Sequence, residues 1–296
     1  MKLKEFKKVE LSDKEKINKI LHKCNFILCD YNFNNLFCWG DIYQIKWYSE
    51  NDVLFLYTET DDYIFMPCGK IFDFNFLLSL SDEFIKQNKS GNIIFVNQEF
   101  INQYEKEIKR YFDIIQDYNN ADYIYLSEKL VELKGNKLNK KKNLISQFKR
   151  NNPDYKVERL SEEYINDCYK LSEKWCEIKN CNEFGYSHEI SALRKALNNF
   201  NKLDIYGVLI LVKNEIIAFS IFSEQNKETV TIHYEKYNPE IKGAAQIINL
   251  ETAKLVCEKY KYINREQDLG IEGLRKSKLS YAPEFLIIPY KLLRKR

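Results

Sequence analysis

Residues 205–235 read IYGVLILVKNEIIAFSIFSEQNKETVTIHYE. Three apolar runs, Ile205–Val212, Ile216–Phe222 and Val230–Glu235, are split by Lys213-Asn214-Glu215 and by Gln225-Asn226-Lys227-Glu228. Short polar turns between runs of this length predict three strands in quick succession. Working outward, Tyr155–Arg159 reads as a short strand. Ser161 starts a helix to about Lys179, with Leu171 and Trp175 one turn apart, and His188–Phe200 is a second helix. On the other side, Gly243 opens a helix over Ala244–Lys259 and a strand follows at Tyr260–Asn264. Gly270 then breaks the chain before a helix at Glu272–Leu279, and Phe285–Pro289 is a last strand.

The resulting order, β-α-α-β-β-β-α-β-α-β, is that of the GNAT (acyl-CoA N-acyltransferase) fold. The first half is also mixed. A helix is predicted over Asp13–Cys24 with Ser12 as its cap, strands at Ile42–Trp47, Val53–Tyr57, Tyr63–Met66, Asn92–Val96 and Asp122–Leu126, and helices at Phe72–Asn88 and Glu99–Arg110. The chain has 296 residues, about right for two domains. The boundary is expected near Glu128–Gly135, giving domains 1–130 and 131–296.

Composition narrows the function classes. Hydrophobic residues make up 45% of the chain and aromatic residues 15%, enough for packed cores. No apolar run approaches the roughly 20 residues that cross a bilayer, and the start MKLKEFKKVE lacks a secretory apolar segment. A cytoplasmic location is expected. The 8 cysteines form no CxxC pair and have no histidine at finger spacing, so reduced thiols are expected and no metal site. The net charge of +3 does not by itself mark a polyanion-binding protein.

The run Lys134–Arg150 contains seven basic residues and no acidic one. A solvated face in a lysine-rich chain would explain most of it. On a helix, however, Leu138, Leu144, Ile145 and Phe148 form one apolar arc, and Lys141 falls inside it with Lys137 one turn earlier. A lysine aimed at apolar neighbours is costly unless an anion or carboxylate meets it. Lys137 and Lys141 are therefore candidates for an inward anion site. Lys140, Lys142, Lys149 and Arg150 suit contacts with the phosphates of a larger polyanion, and Asn143 beside them is a further anion-binding candidate.

A second charged stretch, Asn264-Arg265-Glu266-Gln267-Asp268-Leu269-Gly270, follows an apolar strand. Ligands of open α/β sheets gather outside the carboxyl ends of strands. An ion-pair network fixing the loop is the plainer reading. The functional one gives Arg265 and Lys276, with Arg275 and Asn264 beside them, to binding a carboxylate or phosphate. It gives Glu266 or Asp268 to deprotonating a nucleophile. On the strand Thr231–Lys236, alternation puts Thr231, His233 and Glu235 on one face. Glu235 at its end is a third candidate base.

The segments Asp122–Arg150, Lys242–Asn249 (KGAAQIIN) and Tyr262–Tyr281 (YINREQDLGIEGLRKSKLSY), with Asn35–Trp39, resemble the DUF2156 family. That family is similar to the C-terminal catalytic domain of phosphatidylglycerol lysyltransferase and is related to the Fem-type aminoacyltransferases. The resemblance implies an α/β protein with two GNAT-like domains in tandem, the first degenerate. It implies transfer of an aminoacyl group from aminoacyl-tRNA to a lipid or small-molecule hydroxyl or amine. tRNA and an anionic phospholipid at the inner membrane face are the implied partners.

The loop Glu240–Ala245 only half matches the pyrophosphate loop of CoA-dependent relatives, because Glu240 stands where they carry Gln or Arg. Gln246 just inside the helix could donate to a bound carbonyl. Acyl transfer from a CoA thioester remains the enzymatic alternative. A non-catalytic protein that binds anionic lipid or nucleic acid is the alternative of a different class.

Overall fold

The computed structural model describes residues 2–24, 26–179 and 186–295. They form two compact units, one of residues 1–121 with 287–296 and one of residues 122–286.

The first unit holds the strands β1 (Lys7–Lys8), β2 (Ile45–Glu50), β3 (Val53–Thr58), β4 (Tyr63–Phe65), β5 (Asn92–Val96), β6 (Phe112–Gln116) and β14 (Tyr290–Arg294), ordered β1-β2-β3-β4-β5-β14-β6. Its helices are α1 (Lys14–Cys24), α2 (Phe33–Cys38), α3 (Phe74–Ile85) and α4 (Gln98–Tyr111). The second unit holds β7 (Asp122–Leu126), β8 (Lys156–Arg159), β9 (Tyr206–Val212), β10 (Glu215–Glu224), β11 (Thr229–Tyr237), β12 (Tyr262–Asn264) and β13 (Phe285–Ile287), ordered β13-β7-β12-β11-β10-β9-β8. Its helices are α5 (Ser127–Glu132), α6 (Asn139–Asn151), α7 (Ile165–Lys179), α8 (Tyr186–Asn198), α9 (Ala244–Val256) and α10 (Glu272–Leu279).

The two sheets follow one plan. In the first, β2, β3 and β4 run antiparallel, α3 crosses over, and β5 lies parallel to β4. In the second, β9, β10 and β11 run antiparallel, α9 crosses over, and β12 lies parallel to β11. Each sheet then accepts a strand from a distant part of the chain. β14 sits between β5 and β6, and β7 sits between β12 and β13. The mixed α/β tandem expected from the sequence is what the chain builds.

These inserted strands move the boundary away from the expected 130/131. Tyr125 and Ile124 of β7 pair with Ile263 and Asn264, so 122–130 belong with the second unit. Leu292 pairs with Ile93 and Ile114, which returns the last residues to the first. One cysteine expectation also fails, since Cys24 and Cys68 are joined by a disulfide across 44 residues. Cys176 is disulfide-bonded too, whereas Cys29, Cys38, Cys168 and Cys257 are free. Cys181 lies outside the described residues. A pair so far apart leaves no spacing signal in the sequence.

Two features of the second sheet position the site. First, β11 pairs with β12 only from Thr229 to Thr231, opposite Tyr262 to Asn264, and then runs on to Tyr237 without it. The two parallel strands part, and the loop after Asn264 turns into the opening. Second, Ile221 pairs with Tyr234 and Phe222 with Ile232, leaving His233 as the extra residue of a β-bulge. Ser220 opposes Glu235 and Ser223 opposes Thr231. Ser220 and Ser223 point to opposite faces of β10, so Glu235 and Thr231 do as well. The expected shared face of Thr231, His233 and Glu235 is thus broken at the bulge. Glu235 takes the face of Ala218, Phe222 and Ile232, which pack with Ile247 and Ile248 of α9.

Gly243 sets how α9 meets α6. Its φ is 88°, and a Cβ there would stand 2.6 Å from the Leu144 carbonyl oxygen and 2.8 Å from Phe148 Cβ. Only glycine combines that backbone with that approach.

Candidate active site

On the α9 face of the opening, Arg265 donates to Glu235 at 2.8 Å, both side chains being about 15% exposed. Burial opposes the charge of Arg265, but Glu235, helped by Tyr125 and Tyr281, outweighs it and raises the pKa. The guanidinium carbon lies 5.1 Å from the Tyr281 ring centre and 5.9 Å from that of Tyr125. Lys141 reaches the same Tyr281 ring from α6, its Nζ 4.2 Å from the centre. Burial, then the charges of Arg265 and Lys140, hold the Lys141 ammonium below the ordinary lysine range. Burial pushes the Tyr281 hydroxyl well above its ordinary pKa, and Arg265 and nearby Gln246 of α9 offset part of that rise. Two cations therefore converge on one aromatic ring with a single carboxylate between them. An anionic group would relieve that imbalance.

Of the basic run, Lys141 turns inward to this site, and Lys149, also half-buried, lies over Tyr155 instead. Lys137, expected one helical turn earlier, lies in an exposed turn, because α6 begins only at Asn139. Lys142 and Asn143 are on α6 but exposed.

Asp268 is withdrawn from catalysis. It is fully buried, and Arg275 clamps it through Nε at 2.7 Å and a second nitrogen at 2.8 Å. Tyr123 and the Gly270 amide donate to it as well. Burial pushes its pKa up, but these donors outweigh burial and lower it. A carboxylate with this many donors is a poor base. Asp268 and Arg275 lock the loop, so neither is a free ligand-binding group. Asn264, also fully buried, donates to Asp122 at 2.6 Å and accepts from the Glu266 amide at 2.7 Å; it holds backbone rather than substrate.

Lys276 is exposed on α10. The inward lysine there is Lys278, which donates to the carbonyl oxygens of Arg265 and Glu266 and was missed in the sequence. Leu274, Lys278 and Tyr281 share one helical stripe at i, i+4 and i+7, and that was the available signal.

Glu266 faces the other way from Arg265. Its Oε1 lies 2.9 Å from His233 Nδ1, and His233 Nε2 lies 2.7 Å from Ser223 Oγ. The His233 side chain is only 2% exposed, so it is no direct ligand for an anion. Glu266, 19% exposed, is the more accessible end. Among the described residues no group of three or more His, Cys, Asp or Glu could hold a metal ion. No described helix is long and apolar enough to cross a membrane.

Residues 25–290 match the family described as phosphatidylglycerol lysyltransferase, C-terminal, and the chain belongs to that family. Membership places it among acyl- and aminoacyltransferases. A solved conserved protein of unknown function from Bacteroides thetaiotaomicron is 34% identical, covering 98% of this chain and 99% of that one at a TM-score of 0.91. The structure of L-PGS from Bacillus licheniformis shares the fold at 15% identity and a TM-score of 0.63, over 96% and 92% of the two chains. An uncharacterized protein of Mycoplasmoides gallisepticum is 26% identical over 79% of this chain and 76% of its own.

Proposed function

We propose that the second unit transfers an aminoacyl group from aminoacyl-tRNA to the hydroxyl or amine of an acceptor that carries a phosphate. The acceptor is an anionic lipid met at the membrane surface, or a soluble molecule with the same headgroup chemistry. The single observation that carries this reading is the convergence of Arg265 and Lys141 on Tyr281 beside the parted strands.

Attack of the nucleophile on the ester carbonyl forms a carbon–oxygen or carbon–nitrogen bond and a tetrahedral oxyanion. Collapse breaks the bond to the ribose oxygen, which leaves with the proton that the general base took from the nucleophile. Glu266 takes the nucleophile's proton, its side chain being 19% exposed and aimed by His233. Arg265 and Lys141 hold the phosphate or the developing oxyanion. Lys142, Asn143 and Lys137, all exposed, are left to outer phosphate contacts of a polyanionic donor.

The start of α9 favours this over CoA chemistry. The Ala244 amide is already bonded to the Ile241 carbonyl, and Leu144 and Phe148 close over Gly243. Glu240 is paired with Lys174. A pyrophosphate at this helix end would need free amides and space.

Thermal unfolding with charged tRNA, CoA, acetyl-CoA and phosphatidylglycerol micelles tests the assignment. Stabilisation by charged tRNA is expected, together with stabilisation by phosphatidylglycerol micelles that is lost in Lys141→Ala. Stabilisation by CoA alone would move the function to acyl-CoA chemistry.

A further inference from the structure

The bulge in β11 brings Ser223, His233 and Glu266 into one line, with 2.7 Å between Ser223 Oγ and His233 Nε2 and 2.9 Å between His233 Nδ1 and Glu266 Oε1. The order of groups is that of a nucleophilic serine triad, but the exposure runs backwards. In such a triad the serine meets substrate and the acid is buried. Here Ser223 is 1% exposed, whereas the Glu266 side chain is 19% exposed.

We propose that the chain works in reverse: Ser223 is the anchor, His233 is the positioning residue, and Glu266 is the group aimed at substrate. This rests on the reading of Glu266 as the base. As a carboxylate, Glu266 can only accept, so Nδ1 must carry the hydrogen. In the neutral ring Nε2 is then an acceptor, and the Ser223 hydroxyl donates to it. Glu266 thus fixes the tautomer, Ser223 holds the far nitrogen of the ring, and the ring so anchored aims the carboxylate. No proton passes along the chain. Glu266 receives the nucleophile's proton while His233 keeps its own.

The backbone of Glu266 is held as tightly as its side chain. Its φ is 55°, a left-handed value that is unfavourable for a residue with a Cβ. The Asn264 side chain accepts from its amide at 2.7 Å, and its carbonyl accepts from the Tyr123 amide at 3.3 Å and from Lys278 Nζ at 3.2 Å. Groups from β7, β12 and α10 over-determine one strained residue. Strain kept in this way, beside a polar opening, points to a working side chain. Neither His233 nor Lys278 need touch substrate for its loss to be felt.

The test combines a spectroscopic and a kinetic readout on the full chain. The chain has only 3 histidines, so 15N-histidine spectra can be assigned by comparison with His233→Asn. The expected spectrum places the hydrogen of His233 on Nδ1, and Ser223→Ala disturbs that signal. In aminoacyl transfer, His233→Leu lowers kcat by about 100-fold with KM little changed, as a misaimed base should. His233→Asn restores much of the rate, because its amide keeps an N–H near the Nδ1 position. Ser223→Ala, the mildest change, provides a folded variant if His233→Leu does not fold. A hydrogen on Nε2, equal loss in His233→Leu and His233→Asn, or labelling of Ser223 by a fluorophosphonate would each overturn the proposal. Absence of transfer from any charged tRNA would count against the transferase reading instead, and the tautomer would still decide the chain.

Discussion

The first sheet parts from the second at one place. β4 and β5 pair from Tyr63 with Asn92 to Phe65 with Ile94, just as β11 and β12 pair from Thr229 with Tyr262 to Thr231 with Asn264. After the last pair, the first unit continues Phe95-Val96-Asn97, and Asn97 at once caps α4. The second continues Arg265-Glu266-Gln267-Asp268 before α10. A left-handed residue follows in both, but Phe95 at φ 60° comes directly after the last pair and Glu266 at φ 55° one residue later. On the other strand, β4 stops at Phe65, and the Met66 amide stays bonded to Ile94. β11 instead runs on to Glu235 and Tyr237. One topology therefore gives a closed apolar seam in one unit and an open charged one in the other. The fold supplies the place, and the side chains decide whether it is used.

The most severe way to test that contrast is Arg265→Ala. Removing the central cation should lower kcat for aminoacyl transfer by about 100-fold or more. Phe95→Leu, at the matching place in the first unit, should cost stability only. Equal loss of activity from both would break the comparison.

Next in size is Gly243→Ala, which forces a left-handed alanine against Leu144 and Phe148. A loss of about 3 kcal/mol is expected in denaturant unfolding, from backbone strain and overpacking together. A neutral result would mean that α6 is not held where Lys141 needs it.

Asp268→Asn should cost about 2 kcal/mol near neutral pH, the scale of hydrogen bonds to a buried charge. The folded pKa of Asp268 is lowered, so its contribution is present above the ordinary carboxylate value and fades as pH falls through the lowered one. Unfolding followed against pH should therefore show a flatter acid limb in the variant.

Lys141→Met should weaken acceptor binding by about tenfold, the loss of one charged contact, while Lys142→Met changes little. The smallest effect sharpens the same point. Lys141 must be protonated to hold an anion, and burial with Arg265 nearby lowers its pKa. Phosphate affinity should thus decline with rising pH earlier than an ordinary lysine would dictate. Lys141→Arg should move that decline upward.

Much of the fold was legible locally. The strands at 92–96 and 122–126 and the helix at 272–279 fall where apolar runs and glycines placed them. Phe112–Gln116 and Tyr290–Arg294 were not read as strands, and the first half's α2 and the second's α5 were missed as well. β14 follows Pro289, and its partners are Ile93 and Ile114, far away in sequence. Nothing local announces such a pairing. In the candidate site, Lys141 stands out in the sequence by falling in an apolar arc, Glu235 by ending a strand, Arg265 by following one, and Gln246 by lying just inside a helix. Along α10 the sequence points to Lys276, whereas Lys278 shares the stripe of Leu274 and Tyr281 and turns inward. The bulge that turns His233 away from Glu235 breaks alternation, and alternation was the only tool for that strand.

The central claim is that the charged opening of the second unit transfers aminoacyl groups. Its most direct measurement is the movement of a radiolabelled amino acid from charged tRNA into phosphatidylglycerol vesicles or soluble phosphate-bearing acceptors, by the native chain and by Arg265→Ala. Label should pass to an acceptor with the native chain and fail to pass with the variant. Transfer that survives Arg265→Ala, or a chain that acylates only from CoA thioesters, would contradict it.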